Sequence, residues 1–134
     1  IIPMACMLGE GYLLAEDHIK ARKTLEQGIE TFELCATPFY LGCAHRLLGE
    51  VLIKEDVHSA APHLEKSIEI LQEINAENEL AHAYAGLGRL HMFKGRSEQA
   101  IEFMTKGLEI FKRLNTQNQP DKIIKELDNL RAQQ

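Results

Sequence analysis

The feature that most limits the fold of this chain is an internal repeat of about forty residues. Three leucine-glycine pairs stand in similar surroundings: Leu8-Gly9-Glu10-Gly11-Tyr12, Leu48-Gly49-Glu50-Val51-Leu52 and Leu87-Gly88-Arg89-Leu90-His91. Their glycines are 40 and 39 residues apart. A second signature follows each pair: Leu25-Glu26-Gln27-Gly28-Ile29, Leu64-Glu65-Lys66-Ser67-Ile68 and Met104-Thr105-Lys106-Gly107-Leu108. The steps Gly9 to Ala21, Gly49 to Ala60 and Gly88 to Ala100 are 12, 11 and 12, so the middle unit is one residue short in its turn. Repetition at this period marks stacked units, none of which can bury its apolar face alone.

Each unit reads as two amphipathic helices. In the second helix apolar residues recur at helical spacing, as in Ala21, Leu25, Ile29 and Phe32, or Ala100, Met104, Leu108 and Phe111. Glycine inside a helix costs about 1 kcal/mol against alanine. Its return at Gly9, Gly49 and Gly88, and of a small residue at Gly28, Ser67 and Gly107, points to close helix-helix approach. Helix ends are marked as well. Gly95 and Asn75 suit left-handed stops, Ser97 an N-cap, and Thr37-Pro38 an N-cap followed by a first-turn proline.

These motifs resemble the tetratricopeptide repeat (TPR), W-x2-L-G-x2-Y…A-x3-F…P. Here the pattern runs Ala5-x2-Leu8-Gly9-x2-Tyr12…Ala21-x3-Leu25, His45-x2-Leu48-Gly49-x2-Leu52…Ala60-x3-Leu64 and Tyr84-x2-Leu87-Gly88-x2-His91…Ala100-x3-Met104. The Trp and Tyr positions are degenerate and the closing proline is absent. The resemblance implies an all-α, right-handed solenoid of three helix-turn-helix repeats, at about 2–37, 38–75 and 76–115, forming one domain over 1–134. The period exceeds the usual 34 residues. From Gly28 to His45, and from Ser67 to Tyr84, is 17 residues, so the extra length falls in the second helix of one unit and the first helix of the next. Such long repeats resemble the arrays of bacterial ATPase- or cyclase-linked signalling proteins and maltose-type transcription activators. Kinesin light chains are similar.

The remaining tail predicts a capping helix at about 120–132, with Pro120 in its first turn and Ile123, Ile124, Leu127 and Leu130 on one face. The first helix differs from the others. Ile1, Ile2, Met4, Met7, Leu8, Leu13 and Leu14 make it apolar on more than one face, which predicts a covering upstream repeat or a second copy, a homodimer through residues 1–14. The chain lacks an initiator Met and reads as a piece of a longer one. Its opening stretch lacks a basic leader and stops at Glu10, so it is neither a signal peptide nor a membrane span.

Composition narrows the function. Fifteen basic and twenty acidic residues give a net charge of −5 without a basic stripe, which argues against nucleic acid. The three cysteines, Cys6, Cys35 and Cys43, are odd in number and lack a C-x-x-C, so free thiols in a reducing, cytoplasmic setting are expected. The six histidines never fall at H-x-x-x-H, and no metal or cofactor is expected. Glu10 and Glu50 occupy equivalent places, as paired catalytic carboxylates would. Repeat register alone produces that, and Arg46 four residues before Glu50 explains the charge as an ion pair. No phosphate-binding loop or nucleophile elbow is present, so the chain is not read as an enzyme.

By the resemblance, the first helices line a concave groove. The positions facing it are Glu10, Leu13, Arg46, Glu50, Ile53, Lys54, His82, Arg89, Met92 and Phe93. The Lys-Asn pattern with which some TPRs hold a C-terminal carboxylate is absent. The expected function is therefore protein-protein interaction through a groove of mixed chemistry that takes a protein or peptide segment. Two other readings stand beside it: a regulatory or sensor segment of a larger ATPase, cyclase or transcription regulator, and self-association through the apolar first helix.

Overall fold

The computed structural model describes residues 2–114 and 119–133, with side chains over 5–114 and 121–133. The expectations placed on the side chains of Ile1, Ile2, Met4 and Pro120 lie outside the described residues. The described chain is all-helical. In order the helices are α1 (Ile2–Leu14), α2 (His18–Leu34), α3 (Pro38–Glu55), α4 (Val57–Glu73), α5 (Glu77–Phe93), α6 (Ser97–Arg113) and α7 (Gln119–Ala132). Helices pack on their neighbours in sequence, and α3 also packs on α1 and on α5. This is the nearest-neighbour pattern of a helical-repeat solenoid.

The long repeat period is housed in the helices, since α2 to α6 are each 17 or 18 residues. The missing residue of the middle unit is found in its turn. Ala15 to Asp17 link α1 to α2 and Lys94 to Arg96 link α5 to α6, but Asp56 alone joins α3 to α4. The left-handed stops fall at Glu16, Ala36, Asn75 and Gly95. Asp17 and Asp56 cap α2 and α4 by accepting from the backbone N–H of Lys20 and Ser59. Ser97 is not an N-cap. It is the first residue of α6, and Arg96 holds the cap position without a side-chain bond, because the Gly95 turn closes one residue earlier than the sequence suggests. Thr37 does stand at the N-cap of α3, but its hydroxyl donates to the carbonyl of Phe32 rather than capping.

The small residues mark close helix approach, as expected. A Cβ on Gly107 would stand 2.8 Å from the Ala81 carbonyl oxygen, and one on Gly28 would stand 2.9 Å from the Ala5 Cβ. At the equivalent site Ser67 uses the contact to donate from its Oγ to the Gly42 carbonyl at 2.7 Å. Gly28 therefore lacks room for a methyl group, and an Ala there carries no stabilising gain.

The apolar stripes gather into a row of core clusters along the array. Leu25, Phe32, Val51 and Leu64 fill its first half, and Met104 and Phe111 its second. α7 closes the second half with Ile123, Leu127 and Leu130, each at most 2% exposed. Ile124, expected on the same face, is 36% exposed. It lies one residue, or about 100° of helix, from Ile123 and falls at the edge of the stripe. At the other end Met7, Leu8 and Leu14 are exposed. Leu47, the repeat equivalent of Met7, and Leu48 and Leu87, the equivalents of Leu8, are buried, whereas Lys54 and Phe93, the equivalents of Leu14, are exposed as it is.

Candidate functional site

The first helices α1, α3 and α5 present their groove positions side by side, and α7 continues the row. A chain of ion pairs crosses all four. Arg46 on α3 is buried, with Nη1 donating to Glu50 at 3.2 Å and Nη2 lying 3.9 Å from Glu10 and 3.7 Å from Glu79. Arg89 on α5 donates from Nη1 to Glu50 at 3.3 Å. It grips Glu126 of α7 with two bonds of 3.0 Å, from Nε and Nη2. Burial opposes the charge on Arg89, but the hydrogen bonds and charges of Glu126 and Glu50 outweigh it and hold the guanidinium firmly protonated. Both guanidinium groups bridge several carboxylates, and the two-point grip of Arg89 on Glu126 is one that an ammonium cannot make.

Sequence reasoning offered Arg46, Glu50 and Arg89 to a partner. Each is instead engaged within the chain. The 39-residue step that aligns equivalent residues also brings Arg89 against Glu50, and α7 adds Glu126, a ligand whose side was legible only once the tail was docked. Among these residues the ion pair of Arg46 and Glu50 is as expected. His82 lies away from the cleft described next. It meets Phe111 edge-on with ring centroids 4.9 Å apart, and burial, followed by the charge of Arg46, holds its imidazole below the ordinary histidine range.

Beyond the ion pairs, at the last turns of α1, α3 and α5, lies a cleft of about 530 Å3. Seven of the ten expected groove residues line it: Leu13, Glu50, Ile53, Lys54, Arg89, Met92 and Phe93. Glu16 from the α1–α2 turn, His18 at the start of α2 and Lys122 from the first turn of α7 complete it. The floor is apolar. Ile53 is buried, while Met92 and Phe93 are 38% and 53% exposed. Lys54 and Lys122 stand on the rim without an ion pair among the described residues. Glu10 and Arg46 line a separate, smaller hollow of about 180 Å3 with Cys6, Cys43 and Glu79. There burial raises the Cys6 thiol to about 11 and pushes Cys43 higher still, so both sulfurs stay protonated and unreactive. Among the described residues no three His, Cys, Asp or Glu side chains gather to hold a metal ion, and no helix is long and apolar enough to cross a membrane.

Helical hairpins stacked so that one row of helices forms a continuous face define the class of α-solenoid interaction modules. A family model for the tetratricopeptide repeat matches residues 40–113, and the chain belongs to that family. Such repeats generally mediate protein-protein interaction and are typically not catalytic. A search of curated proteins gives no significant match.

Proposed function

We propose that this domain binds a protein partner by seating an apolar side chain of an extended or helical segment in the cleft between Leu13, Ile53, Met92 and Phe93. The observation that supports this most is the division of labour along the first helices. Their arginines and most of their carboxylates are consumed in holding α1, α3, α5 and α7 together. The exposed Met92 and Phe93 are left over the cleft with no structural duty. Aromatic anchors in such sites dominate binding, at about 2 kcal/mol or more on truncation. Lys54, Lys122 and Glu16 give the rim charges of both signs, which orient a partner and fade with salt. The domain works in the cytoplasm, where its three thiols stay reduced.

A partner recovered by pull-down and titrated against variants tests this reading. Phe93→Ala and Met92→Ala should weaken it about tenfold or more. Charge reversal at Glu69 or Glu109, on the outer helices, should leave binding unchanged. Loss on the outer face with retention at Phe93 would move the site elsewhere.

Two observations favour further readings of the same module. The 17- and 18-residue helices suit a regulatory segment of a larger ATPase, cyclase or transcription regulator, whose arrays they resemble. The exposed Met7, Leu8 and Leu14 suit self-association through α1, which light scattering on the domain and on a Met7→Lys, Leu14→Lys variant decides.

A further inference from the structure

His45 and His63 lie eighteen residues apart, on α3 and α4, and no part of the proposed binding site uses them. Their Nδ1 atoms are 2.9 Å apart, a hydrogen-bond distance. The ring centroids are 5.2 Å apart with planes inclined by 28°. The centroid separation exceeds the nitrogen separation by one ring radius on each side, so the two nitrogens point at one another in line. Rings converging on a common metal ion would lie nearer at the same nitrogen separation. What lies between these nitrogens is a proton.

A neutral imidazole carries one N–H and one bare nitrogen. One ring must therefore hold its proton on Nδ1 and the other on Nε2. The surroundings decide which ring takes an added charge. His45 is buried at 8% exposure with Lys66 of the same hairpin nearby, and both effects disfavour charge on it. His63 is half-buried beside Glu26 of α2, which favours charge. It opens on a shallow groove also lined by Arg22 and Glu30. No charge from α1 or α5 acts on either ring among the described residues. A proton added to the pair therefore resides on His63, whose imidazolium donates through Nδ1–H to the bare Nδ1 of His45.

We propose that His45 and His63 form an acid-sensitive latch that fastens α3 to α4, the hairpin at the centre of the array. The first proton leaves the latch closed, because the charge sits on His63 and its imidazolium donates to His45. The second proton can enter only at Nδ1 of His45, the nitrogen that accepts the bond. Taking it breaks the bond and sets two cationic N–H groups end to end. Burial, followed by the charge of His63, holds His45 down to about 4, against an ordinary value of about 6.5. The folded form therefore binds protons less readily than the unfolded chain. The stability contributed by the pair is complete above about pH 6.5 and is lost as pH falls toward about 4.

Nitrogen-15 NMR of the histidine-labelled domain tests the pairing directly. At about pH 7.5 one of the two rings should report the Nδ1–H tautomer, the minor form in free histidine, and the other the Nε2–H tautomer. On acidification His45 should titrate below about pH 5 and lose helical order as it does. Two Nε2–H rings titrating independently near the ordinary value would overturn the latch. A second measurement is the pH dependence of melting. His45→Asn places a non-titrating amide where Nδ1 stood. It should flatten the fall in melting temperature between about pH 7 and 5, whereas an unchanged slope would count against the proposal. If that variant does not fold, the titration of the natural chain decides alone.

Discussion

Leu127 offers a sharp test of how the array is closed. It is 2% exposed, on α7, among Ala81, Ala85, Met104 and Phe111. Truncation to alanine removes a buried isobutyl group and leaves a hole between α7 and the α5–α6 hairpin. Such changes cost about 2–5 kcal/mol, and the middle of that range fits a site lined by rigid helices on two sides. For a chain of this size about 3 kcal/mol lowers the melting temperature by about 10 °C. Ile124→Ala is the control. Ile124 lies on the same helix and is 36% exposed, so its loss should cost under about 1 kcal/mol. Urea unfolding followed by circular dichroism separates the two. In a linear array an end helix can also come loose first. Leu127→Ala should then show an early loss of the helicity of α7, and the Ile124 variant should not. Equal midpoints for the natural chain and Leu127→Ala would mean that α7 is not docked as described. Equal damage from both variants would mean that its buried face is misassigned.

Glycines of one sequence type should respond in opposite directions. Gly11→Ala has no atom within 4 Å of the new methyl group and should stabilise by about 0.5–1 kcal/mol in chemical denaturation. Gly107→Ala drives its methyl group to 2.8 Å from a backbone oxygen and should cost about 1–3 kcal/mol in the same assay. Ser67→Ala removes a buried 2.7 Å hydrogen bond to the Gly42 carbonyl and should cost about 1 kcal/mol, read from the urea midpoint.

The fold was legible because its information is local and repeated three times. Leu-Gly pairs, small residues such as Gly107, and the stripe through Ala100, Met104 and Phe111 each specify a contact within one hairpin or with the next. The one-residue deletion before Ala60 was readable for the same reason. The caps were partly missed: Asp17 and Asp56 carry an N-cap signal in the sequence, but helix ends shift by a residue with turn geometry, as Ser97 shows. The site was legible as positions and, apart from the Arg46–Glu50 ion pair, not as interactions. Repeat register places Arg46, Glu50 and Arg89 on one face, yet whether they meet a partner or each other depends on side-chain reach between helices. It also depends on Glu126, whose approach is set by how α7 docks. The pairing of His45 with His63 has no spacing signature, because it crosses the single-residue turn from one helix to the other. It shows only when the rotation of both helices is known.

The central claim is that the face of the first helices divides into charges that hold the array and an apolar cleft left free for a partner. Equilibrium urea unfolding of Arg89→Ala and Phe93→Ala, side by side and without any partner, tests it most directly. Removing Arg89 strands Glu126 and half of the bonding of Glu50 in surroundings only 18% and 15% exposed, so the variant should lose about 2–3 kcal/mol. Phe93, 53% exposed, should lose under about 1 kcal/mol. The reverse order, with Arg89→Ala as stable as the natural chain and Phe93→Ala strongly destabilised, would contradict the account. Arg89 would then be free for a partner and Phe93 part of the core.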